Sequence, residues 1–251
     1  MNKPLTIRSE NGSAGTIVQA SAYDHVFEVA ADRVIISGFT VRGVYVSGIF
    51  ATGVYLYGAE CCSIANNRIS GSVCGVYLKS SSANTITGNI ISDNPSGGIS
   101  LVESSDRNRV VCNTISGISN PGIELFYSNQ NVLLNNTVSN SFCGVDLVGS
   151  TGNQVYLNNF TDNSINTYSA DSSNTWHSTT TLCYAYGGKR YTNHLGNHWS
   201  DYGGSDFNGD GIGDTAYSIG SDEDGHPLME PFDKYTWIGE CLIYLPLMMR
   251  R

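Results

Sequence analysis

Apolar residues recur along the middle of the chain at a period much longer than that of a helix or a strand. The segment at 84–91, NTITGNII, has four counterparts elsewhere in the chain. Their third positions are all apolar, and successive copies are 22, 24, 23 and 22 residues apart: Ile64, Ile86, Val110, Leu133 and Val155. A fixed period of this size indicates a solenoid in which each repeat forms one coil.

The second half of each coil carries a different pattern, in which hydrophobic and polar residues alternate. Residues 75–78, GVYL, have equivalents at 98–101, 122–125 and 144–147. Alternation with a period of two is typical of a strand that buries one face. The inward positions are apolar: Val76, Ile99, Ile123 and Val145. The outward positions form a mixed series: Tyr55, Tyr77, Ser100, Glu124 and Asp146.

A polar residue interrupts the apolar pattern at the sixth position of every repeat. This residue is always asparagine: Asn67, Asn89, Asn113, Asn136 and Asn158. In a parallel coil, equivalent residues stack roughly 4.8 Å apart, so that side-chain amides can hydrogen-bond to one another and to the backbone. The sequence therefore predicts an asparagine ladder inside the solenoid.

These repeats predict an all-β fold, a right-handed single-stranded parallel β-helix of the pectate-lyase-like type. Coils of 22 to 24 residues are regular from about 36 to 160 and less regular over the rest of 1–175. A longer step between Ile36 and Ile64 predicts a loop insertion near 45–51. A β-propeller would need four strands in about 40 to 45 residues, and the pattern of a leucine-rich repeat is absent.

A segment of different character follows, and we interpret 176–237 as a small irregular Asp-rich capping module. Within it, residues 206–214 read DFNGDGIGD. Alternate oxygen-bearing side chains with glycine at the sixth position match the first nine positions of a calcium loop. We expect a structural Ca²⁺ site with Asp206, Asn208, Asp210 and Asp214 as ligands. An ion-free polar turn is the alternative, because these residue types favour turns.

The five histidines offer few other metal sites. His194 and His198 are four residues apart, and on a helix both would lie on one face as possible metal ligands. The neighbouring Asn, Gly and Trp residues argue against a helix there. His25, His177 and His226 stand alone in the sequence, and we interpret them as ordinary polar side chains.

Composition and charge exclude several functions. With 22 acidic and 13 basic residues the chain has a net charge of −9, which argues against binding a nucleic-acid backbone. The tail at 238–251 is apolar but too short for a membrane helix, so we predict no transmembrane span and leave its role unassigned. The seven cysteines do not stack at adjacent equivalent positions, and we interpret most of them as small buried hydrophobic residues.

The chain resembles the NosD-like β-helix repeat proteins, of the carbohydrate-binding and sugar-hydrolase class, found on archaeal cell surfaces. The resemblance rests on 3–12, 24–29, 34–41, the Asn-rich coils, GNHWSDY at 196–202, the loop at 206–214 and PLMEP at 227–231. It implies an extracellular or cell-surface location. No secretion signal opens the chain, and an uncapped first strand near Leu5 leads us to expect that the native protein is longer at its N-terminus.

Three functions remain open. The first is a non-catalytic surface protein that binds glycan or serves as an adhesive or envelope module, with Tyr55 and Tyr77 stacking on sugar rings. The second is a polysaccharide lyase, epimerase or hydrolase that uses Glu124, Asp146 and Glu103 on the outer face. The third, implied by the resemblance, is a periplasmic accessory role for a copper enzyme, although the sequence shows no Met/His/Cys copper cluster. The sequence does not predict an oligomeric state.

Overall fold

A computed structural model describes residues 1–21 and 23–237. Twenty-three of its strands, numbered β1 to β28 along the chain, form three parallel sheets that run the length of a right-handed solenoid. The first sheet contains β1 (Thr6–Arg8), β4 (Ile35–Ser37), β7 (Ser63–Ala65), β10 (Thr85–Thr87), β13 (Arg109–Val111), β16 (Val132–Leu134), β19 (Thr151–Tyr156) and β22 (Ser173–Thr175).

The other two sheets complete each coil. The second contains β2 (Ile17–Gln19), β5 (Thr40–Arg42), β8 (Arg68–Ser70), β11 (Ile90–Ser92), β14 (Thr114–Ser116), β17 (Thr137–Ser139), β20 (Asn159–Thr161) and β25 (His198–Trp199). The third contains β3 (Phe27–Val29), β6 (Thr52–Tyr57), β9 (Cys74–Lys79), β12 (Gly97–Val102), β15 (Pro121–Phe126), β18 (Cys143–Val148) and β21 (Ile165–Ala170).

The predicted register is confirmed strand by strand. Ile86 pairs with Ile64 on one side and with Val110 on the other, and Leu133 pairs with Val155. All five of these side chains are fully buried in one continuous core. Because every regular coil points apolar side chains inward from each of its three strands, neighbouring coils bury one another's hydrophobic surface.

The predicted asparagine ladder is present and fully hydrogen-bonded. The amide of Asn89 donates to Oδ1 of Asn113 at 3.0 Å, and that of Asn113 donates to Oδ1 of Asn136 at 3.0 Å. Each Oδ1 also accepts the backbone N–H of the preceding asparagine, 3.0 Å for Asn89 to Asn113. The side-chain amide also donates to a backbone carbonyl of an earlier coil. For Asn89 the acceptor is the carbonyl oxygen of Ile64, at 2.8 Å.

The ladder lies at a corner where the backbone adopts a left-handed conformation. The residue before each ladder asparagine has a positive φ of 54–64°: Asn66, Gly88, Cys112, Asn135 and Leu157. For a residue with a Cβ this conformation costs roughly 1–2 kcal/mol. The ladder amides satisfy the backbone groups exposed at this corner, and so they stabilise a turn that glycine occupies in only one of these five coils.

A second asparagine ladder runs along the first position of the repeat. Asn84 donates to Asn108 at 3.1 Å, and Asn153 donates to Asn174 at 2.9 Å. This second ladder was not predicted, although the first position of the repeat is asparagine in four of the five segments. Serines form a third series, in which each hydroxyl oxygen after the first accepts the backbone N–H of the serine one coil earlier: Ser81, Ser105, Ser128, Ser150 and Ser172.

The segment 176–237 docks on the last coil. Three short elements form an antiparallel sheet, β23 (Leu182–Tyr186), β24 (Lys189–Asn193) and β28 (Thr236–Trp237), and β26 (Tyr217–Ile219) pairs with β27 (Asp222–Asp224). A 3₁₀ turn covers Phe232–Lys234. Strand β25 pairs in parallel with β20, so the GNHWSDY segment supplies the last strand of the second sheet. The domain boundary at 175 stays a prediction, and the tail at 238–251 lies outside the described residues.

Aromatic rings close the apolar core at this end. The Trp199 ring stacks on Phe160 with centroids 4.7 Å apart, and Tyr217 stacks on the other side of Trp199 at 4.6 Å. Trp176 and Trp199 are both fully buried. The wide rings cover the apolar cross-section that the last regular coil would otherwise expose to water.

The described cysteines are all free thiols. Cys62, Cys74 and Cys143 are buried, which fits their interpretation as small apolar residues, while Cys61 and Cys183 are exposed. Within the described ranges, no helix has the length and apolar character needed to cross a membrane.

Replacement of one ladder amide tests how much the corner depends on it. We expect Asn113→Ala to lower the free energy of unfolding by about 3 kcal/mol, because two donors on Asn89 lose their buried acceptor. Urea denaturation measures the change. Asn120→Ala is the matched control, since Asn120 is exposed and makes one hydrogen bond to a backbone carbonyl. Equal stability of the two variants would contradict this role for the ladder.

Candidate functional site

The outward side chains of the third sheet form one column along the solenoid, here called the outer column. The strand register places one member in each coil, in the order Glu28, Tyr55, Tyr77, Ser100, Glu124, Asp146 and Tyr168. Adjacent members lie on neighbouring strands, roughly 4.8 Å apart at the backbone. Alternation in the sequence predicted five of these positions, from Tyr55 to Asp146, and the strand register confirms that they are aligned with one another.

Aromatic rings gather at the N-terminal end of the outer column. Tyr55 and Tyr77 have ring centroids 5.9 Å apart, and His25 stacks on Tyr55 at 4.5 Å. Phe50, in the predicted loop insertion, meets Tyr77 edge to face at 4.8 Å. The inserted loop therefore adds a further ring beside the two tyrosines. Tyr55 and Tyr77 are half-buried, so their rings are held in place while part of each faces solvent.

His25 is oriented by the backbone of the neighbouring coil. Its Nδ1 accepts the backbone N–H of Thr52 at 3.1 Å, and Thr52 Oγ1 lies 2.9 Å from the same nitrogen. Because Nδ1 is an acceptor, the neutral ring carries its proton on Nε2. Burial lowers the pKa of His25 more than the nearby carboxylates of Glu28 and Asp24 raise it. The imidazole thus acts as a neutral ring at this end of the column.

Two carboxyl groups occupy adjacent positions further along. Glu124 pairs with Asp146 in the register, and both are half-buried. Burial and, to a smaller extent, the neighbouring charge of Glu124 together raise the pKa of Asp146 to about 6. Among the described residues, Asp146 Oδ1 is a buried oxygen without a hydrogen-bond partner. The pair can therefore hold one proton under mildly acidic conditions.

Tyr77 and Glu103 also lie near this pair of carboxyl groups. Burial and the charge of Glu124 raise the pKa of Tyr77 to about 12, so that its hydroxyl stays protonated. Glu103, predicted as a third acid, lies on the turn after the strand, where it forms an ion pair with Lys79 at 3.0 Å. Glu103 thus lies beside the outer column and is not a member of it.

The Asp-rich loop folds around its own side chains. Asp206 Oδ1 accepts the backbone N–H of Gly209 at 2.7 Å, and its Oδ2 accepts that of Gly211 at 2.8 Å. Asp214 Oδ2 accepts the backbone N–H of Phe207 at 2.7 Å, and Asn208 Oδ1 accepts that of Asp210 at 2.8 Å. The four predicted ligands are thus close together in one loop, and all four side chains accept backbone hydrogen bonds.

The structure agrees with the sequence that His194 and His198 do not share a helix face. Residues 194–198 are not helical, and His198 begins strand β25. His198 Nδ1 lies 3.3 Å from the carbonyl of Leu228, whereas His194 Nδ1 lies 2.6 Å from that of Ser178. Within residues 1–21 and 23–237, no three His, Cys, Asp or Glu side chains are arranged as they stand to hold a metal ion.

The comparisons with known proteins bear on this geometry. The family model described as "Periplasmic copper-binding protein (NosD)" matches residues 6–204. The chain belongs to the NosD family. No curated protein sequence matches it. The family description implies copper, but the described residues do not fit that ion, because no three of their His, Cys, Asp or Glu side chains are placed to bind a metal and the oxygen atoms of the Asp-rich loop suit calcium better.

Two solved structures are similar to this chain. A periplasmic alginate epimerase, AlgG, matches with a TM-score of 0.51 and 22% identity over 57% of this chain and 36% of its own. The catalytic domain of a GH87 α-1,3-glucanase in complex with nigerose matches with a TM-score of 0.48 and 14% identity, covering 81% of this chain and 45% of that domain. The NosD-family chain therefore spans less than half of either protein, and the first match shows the β-helix fold.

Calcium at the Asp-rich loop stays a prediction, and thermal unfolding tests it. We expect Ca²⁺ to raise the Tm of EGTA-treated protein by several degrees, because an ion bound only by the folded loop stabilises it. Asp210→Ala should abolish this increment, and Asp233→Ala, an exposed carboxylate of the same segment, should preserve it. An identical Tm with and without Ca²⁺ in the unsubstituted protein would exclude a stabilising ion.

Proposed function

We propose that the outer column is a binding surface for a neutral polysaccharide on an extracellular or periplasmic NosD-family protein. The observation that carries the proposal is the cluster of partly exposed rings at Tyr55 and Tyr77, which lie on neighbouring strands and are held by His25 and Phe50. Aromatic rings offer flat apolar faces, while hydroxyl and carboxyl groups further along the column offer hydrogen-bonding partners for sugar hydroxyls.

The repeat of the solenoid suits an extended ligand. Members of the outer column recur at roughly 4.8 Å intervals along a straight axis, so that a linear polymer lying parallel to this axis meets several of them in succession. Ser100, small and almost fully buried, separates Tyr77 from Glu124. The surface thus has an aromatic end and an acidic end, and one chain can contact both.

Charge favours a neutral ligand over a polyuronate. The outer column carries three carboxyl groups, Glu28, Glu124 and Asp146, and the whole chain has a net charge of −9. A polyanion approaching this face meets like charges, which oppose its binding. Lys79, the nearby cation, is already paired with Glu103. A neutral pyranose polymer meets no such repulsion. Its hydroxyl groups can donate hydrogen bonds to the carboxylates and accept one from a protonated carboxyl group.

Substitution of the two tyrosines tests the binding surface. We expect Tyr55→Ala and Tyr77→Ala each to weaken binding of a neutral glucan or mannan about tenfold, which corresponds to about 1.4 kcal/mol. Isothermal titration against a panel of neutral glycans, with alginate as the acidic member, measures this. Tyr127→Ala is the control, because Tyr127 is exposed and lies on a turn outside the column. Unchanged affinity in the double variant would overturn the proposal.

A second candidate, hydrolysis of the bound glycan, is favoured by one observation. Asp146 has a pKa raised to about 6 and sits one strand from Glu124. Retaining glycosidases use a protonated acid and a carboxylate about 5–5.5 Å apart, a spacing close to the ~4.8 Å between adjacent strands. In this scheme Asp146 donates a proton to the leaving oxygen and Glu124 is the nucleophile.

Release of reducing sugar distinguishes hydrolysis from binding alone. Because Asp146 must hold its proton, the rate should fall as the pH rises through about 6. Asp146→Asn and Glu124→Gln should each reduce the rate at least about 100-fold. Glu223→Gln, which changes an exposed carboxylate in β27 outside the column, should leave the rate unchanged. No release from any glycan that the protein binds would leave binding as the function of this surface.

A further inference from the structure

A hollow of about 460 Å³ opens at the corner where the chain passes from the second sheet to the third. Its walls come from three successive coils, at 117–119, at 140–142, and at Asp162 and Ser164. Each coil turns at this corner through a residue in the left-handed conformation, with φ of 67° at Gly117, 50° at Asn140 and 55° at Asp162. The hollow is therefore a feature of the regular coils, separate from the inserted loop and from the 176–237 segment.

One missing side chain accounts for the position of the hollow. Strands β11, β14, β17 and β20 pair in register, so the residues that follow them, Asp93, Gly117, Asn140 and Asp162, are equivalent positions of adjacent coils. Three of these positions carry a side chain, and Gly117 has none. A Cβ at Gly117 would meet Asp93 Oδ1 at 3.5 Å, which is ordinary van der Waals contact. The corner thus has room for a side chain that glycine does not supply.

The polar groups around the hollow suit the hydroxyl groups of a saccharide. Asn140 and Asp162 are exposed and lie on adjacent coils, so their backbones are roughly 4.8 Å apart. The amide can donate and accept hydrogen bonds, the carboxylate accepts them, and the exposed hydroxyls of Ser119 and Ser164 do both. None of the described residues that line the hollow is Lys, Arg or His. A phosphate, sulfate or uronate would therefore meet a carboxylate with no cation to offset it.

An exposed aromatic ring borders these polar groups. Phe142 precedes β18, lines the hollow and is 56% exposed. A single exposed ring is ordinary on a protein surface, but here it adjoins a concave site with hydrogen-bonding groups. Its backbone is fixed, since its N–H donates to the carbonyl of Ile118 at 2.9 Å and its carbonyl accepts the N–H of Ile165 at 3.0 Å. A concave site with one apolar face and a few polar groups is the usual form of a small-ligand site.

We propose that this hollow binds one or two rings of a neutral saccharide. Phe142 packs against the C–H face of a pyranose ring, and Asn140 and Asp162 form hydrogen bonds to its hydroxyl groups. The site is distinct from the outer column, because Asp146, the column member on the same strand, lies four residues beyond Phe142, or ~13 Å along the strand. A saccharide too short to follow the column can therefore bind here alone, and this binding does not depend on the function proposed for the column.

Gly117→Asn tests the hollow by filling it. Asparagine tolerates the left-handed conformation and already adopts it at the equivalent Asn140, so the variant should keep the Tm of the unsubstituted protein. Its side chain should occupy the hollow and abolish saccharide binding. Gly152→Asn is the matched control, because Gly152 lies outside the hollow in β19, has a φ of 68° and would place its Cβ no closer than 3.8 Å to Gln130 Cγ. This control should bind saccharide as the unsubstituted protein does.

Titration followed by ¹H–¹⁵N nuclear magnetic resonance locates the ligand on the full chain. The probes are glucose, mannose, galactose, N-acetylglucosamine and cellobiose. At least one of them should shift the backbone amide signals of Gly117, Phe142 and Asp162 in a saturable manner. Phe142→Ala should raise the Kd about tenfold through loss of the ring face. The double variant Tyr55→Ala/Tyr77→Ala should leave these shifts and the Kd unchanged, which separates this site from the outer column.

Four outcomes would overturn the proposal. In the first, no saccharide of the panel shifts these amide signals in a saturable manner. In the second, the shifts persist with the same Kd in Gly117→Asn and in Phe142→Ala, so that the ligand binds elsewhere. In the third, the shifts are lost in the double tyrosine variant, which would assign the ligand to the outer column. In the fourth, glucosamine, a cation of the same size, binds while every neutral saccharide fails to bind.

Discussion

The hydrogen-bonded asparagine amide at the corner between the first two sheets is the interaction on which the solenoid depends. Each coil must turn sharply there, through a residue in the left-handed conformation, and the turn leaves backbone N–H and carbonyl groups inside the molecule. Buried groups of this kind cost about 1–3 kcal/mol each if they lack partners. The amide accepts one N–H and donates to one carbonyl while it bonds to its own copies, so a single side chain per coil satisfies the whole corner.

The ladder also explains why the outer surface can vary. A one-residue slip would move every inward side chain of a coil to solvent and would break the amide contacts on both sides. The register is therefore specified from within, and outward positions are free to carry any residue that tolerates a strand. The outer column changes from tyrosine through serine to carboxylate over four coils without disturbing the apolar columns behind it.

The parts of the structure that the sequence predicted are those governed by the period. The register of Ile86, the ladder at Asn113 and the alignment of Glu124 with Asp146 all follow from counting equivalent positions. The repeat period does not predict the contacts of segments that occur only once in the chain. The contact between Phe50 and Tyr77 depends on how the inserted loop folds, and the pairing of Glu103 with Lys79 depends on side-chain rotamers at a turn. The mutual ring contacts of His177, His194 and His226 are the extreme case, because 17 residues separate the first two, 32 separate the last two, and no repeat relates them.

The same pattern of hydrogen bonds continues into the 176–237 segment. Asn197 is the last member of the ladder, accepting from Asn158 at 2.9 Å, and its backbone N–H donates to the buried carboxyl group of Asp224 at 2.8 Å. Asp224 also accepts the indole N–H of Trp199 at 3.0 Å and the backbone N–H of His226 at 3.0 Å.

Burial raises the pKa of Asp224, and the net value is about 7 because four N–H groups that point at the carboxyl group oppose the rise. A Cβ at Gly196 would lie 2.0 Å from Asp224 Oδ1, so glycine is required beside this carboxyl group. His226 is bonded to the carboxyl group through its backbone, and His194 lies two residues before Gly196. The solenoid's ladder therefore ends at one buried acid, which joins the last coil to the 176–237 segment through Asn197 and the backbone of His226.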